Sequence, residues 1–100
     1  MMKITQERID EILRNTEFHV TTVFGKTTVV TALLPNGYTV TEASGCVDVK
    51  NYDQNYGASI CKKRITDRIW ALEGYLLQDY MGKDPNGPCG PQGKRAMEHA

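Results

Sequence analysis

Between residues 54 and 81, Ala58, Cys61, Ile65, Ile69, Leu72 and Leu76 recur at steps of three and four. That spacing predicts one continuous helix with a single apolar stripe. Asp53 is placed to cap its start, and Gly82 to stop it. Such a helix runs about 42 Å at 1.5 Å per residue. An eight-residue strand reaches only about 27 Å. A chain of 100 residues has room for one small domain. Everything else must therefore be built against the stripe, and the helix must overhang whatever it packs on.

Residues 17–44 change texture to β-branched residues broken by two turn signals. Phe24-Gly25-Lys26 suits a tight hairpin, and Leu34-Pro35-Asn36-Gly37-Tyr38 contains the Asn-Gly pair that type I′ turns favour. Strands are expected at about 17–24, 27–34 and 38–44, as an antiparallel meander. If Gly25-Lys26 and Asn36-Gly37 are two-residue loops, the side-chain period of two sets the faces. One face then carries Phe18, Val20, Val29, Leu33 and Val40, ending in Glu42 and Ser44, and is the expected core. The other carries His19, Thr21, Val23, Thr28, Val30, Ala32, Leu34, Thr39 and Thr41.

Upstream, residues 4–14 read as a short helix capped by Thr5 and stopped near Asn15, with Ile9, Ile12 and Leu13 on one face. Downstream of Gly82, proline and glycine dominate and no apolar period remains. The expected organisation is one α+β domain over 1–82 and a disordered tail over 83–100. Its elements are a short N-terminal helix, a three-stranded antiparallel meander, and a long C-terminal helix packed on one sheet face.

Charge narrows the function. Lys+Arg and Asp+Glu total 12 each, so the formal net charge is zero. Sequence-independent nucleic-acid binding needs a basic surface. The Lys62-Lys63-Arg64 cluster with Arg68 spreads around the helix instead of forming a stripe. No apolar run is long enough to span a membrane, and no secretory leader is expected. Cys46, Cys61 and Cys89 lack zinc-site spacing, and His19 and His99 lie far apart. Neither a metal nor a cofactor is expected. Cys61 lies on the stripe and reads as core.

A catalytic centre needs a nucleophile, a base and a group to orient the base. Only Cys46 with His19 could be imagined, and nothing in the spacing joins them, so a non-enzymatic protein is expected. The candidate binding residues fall into three sets. Lys26, Thr28 and Arg64 are the phosphate and hydroxyl contacts that a small nucleotide would need. Glu42 and Glu73 are carboxylates near the apolar surfaces, each expected to accept hydrogen bonds that tie sheet to helix or to anchor a ligand. Trp70, Leu77 and Tyr80 lie off the stripe, where they would either cover the first helix or form an aromatic interface patch.

Several separated motifs then occur in order over residues 18–78. They are Val-Phe-Gly-Lys-Thr-Thr-Val-Val (23–30), Leu-Pro-Asn-Gly-Tyr (34–38), Glu42, Ser44, Cys46-Val47-Asp48, Asn51-Tyr52-Asp53, Gly57, Cys61 and Ile69-Trp70-Ala71-Leu72-Glu73-Gly74-Tyr75-Leu76-Leu77. The succession resembles a family of small tailed-bacteriophage proteins first catalogued from N4-like and Sf6-like phages. Family members read Asp-Pro after the Cys-Val, where this chain has Asp48-Val49. The resemblance implies an early or accessory phage product acting in the host bacterial cytoplasm, and it carries over no catalytic residue. By analogy, such a product binds and neutralises a host factor, as in counteracting bacterial defence. The alternatives are an oligomeric sponge for a small nucleotide signal and a nucleic-acid-binding module. A homo-oligomer is expected in either binding version. Truncation after Gly82 is expected to leave the melting temperature within a few degrees of the full chain; a larger fall in a thermal melt would show that the tail docks.

Overall fold

The computed structural model describes residues 3–82. Helix α1 spans Gln6–Arg14, strands β1 Glu17–Val23, β2 Thr27–Leu33 and β3 Thr39–Gly45, and helix α2 Gln54–Gly82. A short 3-10 turn, Val49–Asn51, joins β3 to α2. The sheet is an antiparallel meander ordered β1-β2-β3. The α+β architecture read from the sequence is the one observed; residues 83–100, expected to be a disordered tail, lie outside the described residues.

Local chemistry explains the ends of the helices. Thr5 Oγ1 accepts the Arg8 N–H at 3.2 Å, satisfying an amide that the first turn of α1 leaves orphaned. Asp53 Oδ1 accepts the N–H groups of Asn55 at 2.9 Å and Tyr56 at 3.3 Å, so it caps α2.

The register of the sheet differs from the expectation by one residue at each hairpin. Val23 pairs with Thr27 and Leu33 with Thr39. At the second turn the reason is proline. A two-residue loop at Asn36-Gly37 would pair Pro35 with Tyr38, and Pro35 has no N–H to give. The bond passes instead to Leu34, whose N–H donates to Tyr38 O at 2.8 Å, while Gly37 donates to Leu34 O at 2.9 Å with φ 92°. Pro35-Asn36-Gly37 is thus a three-residue loop with its glycine in the left-handed region. At the first turn Phe24 (φ 55°) and Gly25 (φ 67°) are both left-handed, and the loop is Phe24-Gly25-Lys26.

The two shifts change which side of β2 is inside. Thr28, Val30 and Ala32 face α2 together with Phe18, Val20, Val40 and Glu42. Val29 and Leu33, expected in the core, belong to the opposite face, which no described helix covers, with His19, Thr21, Thr31, Thr39 and Thr41. The core joins Val30, Ala32, Leu34 and Val40 to Ile9 and Ile12 of α1 and to Cys61, Ile65 and Ile69 of α2.

Helix and sheet meet closely at Gly57. A methyl group added there would fall 2.8 Å from Thr28 Cβ and nearer still to its hydroxyl. Thr28 cannot yield easily. It is fully buried, and its hydroxyl is 2.7 Å from Tyr52 Oη, which lies equally close to Thr22 Oγ1. Gly57→Ala is therefore expected to cost about 1–3 kcal/mol by overpacking, against roughly 1 kcal/mol gained in helix propensity. Ile69→Ala, which empties a buried site, should cost about 2–5 kcal/mol. Denaturant titration measures both; a stabilised Gly57→Ala would show that the helix can lift off Thr28 freely.

Candidate functional site

The stripe on α2 is longer than the sheet it covers. Seven-residue strands reach about 23 Å, whereas 29 helical residues reach about 43 Å. Gly57 and Cys61 lie over Thr28 at one end of β2, and Ile69 reaches the other end beside Leu34. Past that point the stripe continues with no described strand beneath it. Leu72 is 38% exposed, Tyr75 72% and Leu76 60%.

Three elements enclose this surface as a groove of about 430 Å³. α2 supplies Ile69, Leu72, Glu73, Tyr75 and Leu76; α1 supplies Arg8, Glu11 and Ile12, with its C-cap Asn15; the β2–β3 turn supplies Leu34, Pro35, Asn36 and Tyr38. The walls are held in place. Arg8 Nε donates to Glu73 Oε1 at 2.8 Å, joining the helices. Asn36 Oδ1 accepts the Tyr38 N–H at 3.0 Å, stiffening the turn. The floor is aliphatic, and the exposed tyrosines Tyr38 and Tyr75 line the groove, each combining an apolar ring with a polar hydroxyl. This chemistry suits an inserted apolar side chain or ring more than a free ion.

The residues singled out in the sequence are dispersed. Glu73 lines the groove, its carboxylate tied to Arg8. Tyr80 is exposed two turns beyond Ile69–Leu72, and Leu77 is half-buried. Trp70 is half-buried against the core cluster and so is not part of an open aromatic patch. Glu42 accepts from Arg68 at 3.1 Å on the helix-facing side of β3. Arg64 donates to Ala43 O at 2.9 Å, and Lys62 sits 5.2 Å from the centre of the Phe18 ring. Lys26 is exposed at the first hairpin.

Thr28 is a correction. On the two-residue-loop register Thr28 would turn outward and join Lys26 and Arg64 as a ligand contact. Its hydroxyl instead lies beneath Gly57 and is held by Tyr52, where no ligand outside the core reaches it. His19 and Cys46 are also kept apart. His19 pairs with Thr31, whereas the Cys46 N–H donates to Lys26 O beyond the other end of β2, about 15 Å away along the strand.

Leu72, Tyr75, Leu76 and Tyr38 were not among the sequence candidates. The signal available was the length mismatch, which places the last turns of the stripe past the sheet. At the opposite end of the sheet Phe24 is 88% exposed and Val47 98%; neither has a periodicity that would have drawn attention to it. No group of three or more His, Cys, Asp or Glu able to hold a metal occurs among the described residues.

With this geometry in place, comparison with known proteins decides the kinship. Residues 4–81, from the approach to α1 almost to the end of α2, match the family described as Phage protein (N4 Gp49/phage Sf6 gene 66). The chain belongs to that family. The match takes in every element that builds the groove. No curated protein and no solved structure matches the chain significantly. No described helix of this phage protein is long and apolar enough to cross a membrane.

Burial separates the two described thiols. Desolvation in the core pushes Cys61 above the ordinary thiol range, and the nearby Arg64 charge only partly offsets it. The shift favours the fold below the thiol's unfolded pKa, and that contribution is lost as pH rises through the higher folded value. In a Cys89→Ser background at pH 8, iodoacetamide is expected to modify half-buried Cys46 in the folded protein and Cys61 only after denaturation. Mass spectrometry of the alkylated peptides reads both; equal labelling without denaturant would place Cys61 outside a closed core.

Proposed function

We propose that this phage protein is a non-enzymatic binding protein that engages a host protein through the groove beyond the sheet and neutralises it, as an accessory product counteracting bacterial defence in the host cytoplasm. One observation carries the reading: Leu72, Tyr75 and Leu76 continue the core stripe into solvent on a helix flanked there by α1 and the β2–β3 turn. A contiguous apolar surface of this kind is stable in water only at a cost, and it normally marks an interface. Its rigid walls mean that little ordering free energy opposes association. Tyrosine at the rim fits a protein partner, since it offers large contact area with few rotatable bonds.

The rival readings have less support. The nucleotide sponge loses its hydroxyl contact with Thr28 buried, and Arg64 is engaged with a backbone carbonyl. The nucleic-acid reading needs free cations, whereas Lys62, Arg64 and Arg68 are each placed against groups of the protein's own sheet.

Leu76→Glu tests the proposal, because a surface substitution there should change stability by no more than about 0.5 kcal/mol. Tagged wild type and variant are recovered from host cells and their bound proteins quantified. The expected result is a host protein near one-to-one stoichiometry with the wild type, reduced at least tenfold with Leu76→Glu at equal melting temperature. A partner retained equally by both, or no stoichiometric partner, would count against the groove.

A further inference from the structure

The sheet has two edges, and α2 treats them differently. Lys26 O accepts from Cys46 and the Leu34 N–H donates to Tyr38 O, each at 2.8 Å. Even-numbered residues of β2 therefore bond to β3 and odd-numbered ones to β1. On β3 the backbone groups left facing outward belong to Thr39, Thr41, Ala43 and Gly45. α2 blunts that edge. Arg68 Nη1 donates to Thr41 O at 3.3 Å and Arg64 Nη1 to Ala43 O at 2.9 Å.

On β1 the outward groups belong to Phe18, Val20 and Thr22. Among the described residues their backbone N–H and C=O groups facing away from β2 meet no partner. The strand Glu-Phe-His-Val-Thr-Thr-Val has no proline and no lysine, the devices that usually guard an edge. Apolar surface lies beside it. α2 packs mainly on β2 and β3, so Phe18 and Val20 at the rim of the core are only half-buried.

The edge is also self-complementary. An antiparallel copy centred on Val20 would set Val20 against Val20, Phe18 against Thr22 and Glu17 against Val23. Glu17 is the only residue of β1 with a formal charge at neutral pH, so no like charges meet across the pair, and half-buried apolar side chains meet at its centre.

We propose that β1 pairs antiparallel with β1 of a second copy about a two-fold axis at Val20, joining two three-stranded sheets into one of six strands. The interface is isologous and closes as a dimer, which removes the only unguarded edge among the described strands. It leaves the groove at the end of α2 free, and it does not rest on the function proposed for that groove.

Sedimentation equilibrium and amide hydrogen exchange on the wild type test this together. The expected results are a mass near twice the 11.2 kDa chain and slow exchange at Phe18, Val20 and Thr22. Oxidation supplies a positional check. In a hydrogen-bonded antiparallel pair the facing Cα atoms lie about 5.5 Å apart, within disulfide reach. With Cys46 and Cys89 replaced by serine, Val20→Cys should cross-link to a dimer, whereas Thr22→Cys, facing Phe18 of the other copy, should not. A single-chain mass overturns the proposal. So does a dimer whose Phe18, Val20 and Thr22 amides exchange as fast as those of an open edge, because that dimer uses another surface.

Discussion

The contact on which the rest depends is the close approach of α2 to β2. Glycine at position 57 lets the helix backbone descend onto Thr28, and from there Cys61, Ile65 and Ile69 are carried at helical spacing across Val30, Ala32 and Val40. Fully burying side chains of this size contributes roughly 1.5–3 kcal/mol each, a large share of what a small domain has to offset its chain entropy. The polar cost of the contact is met locally. Thr28 is buried, but Tyr52 takes its hydroxyl, and Tyr52 is itself anchored to Thr22. The loop between β3 and α2 is thereby pinned to the sheet at the point where the helix begins.

Everything distinctive about the surface follows from that seating. Because α2 starts at one end of β2 and outlasts it, the excess apolar stripe emerges at the other end, where α1 and the β2–β3 turn form walls around it. Because α2 lies toward β3, its arginines reach the outer carbonyls of that strand and cannot reach those of β1. One rigid placement thus produces a groove at the end of the helix and an open edge on the far side of the sheet. The groove offers an apolar floor and the edge a row of unpaired backbone groups beside half-buried Phe18 and Val20.

Misreadings of the sequence trace to turn chemistry. Asn36-Gly37 is a strong type I′ signal in isolation, but Pro35 before it removes the N–H that the two-residue loop needs. The loop gains a residue, and the pairing moves to Leu34 and Tyr38. A shift of one residue inverts a strand. That inversion exchanged Val29 and Leu33 for Thr28, Val30 and Ala32 in the core, and it placed Thr28 among the ligand contacts when it is a packing residue. Leu72 and Leu76 share the stripe of Ile65 and Ile69 yet are exposed, because periodicity reports which side of a helix is apolar, not what lies opposite it.

What the sequence by itself determined was local: the caps at Thr5 and Asp53, the two helices and three strands, the single apolar face of α2, and the kinship carried by motifs in order. These are legible because each depends on residues a few positions apart, whose hydrogen bonds and spacing act within one element. Tertiary structure alone decided the register-dependent core, the burial of Thr28, the exposure of Leu76 and the difference between the two sheet edges. Each of those depends on where α2 lies relative to a sheet shorter than itself. That position is set by close packing at Gly57 and by the length of the strands together, a relation between distant segments that neither segment records alone.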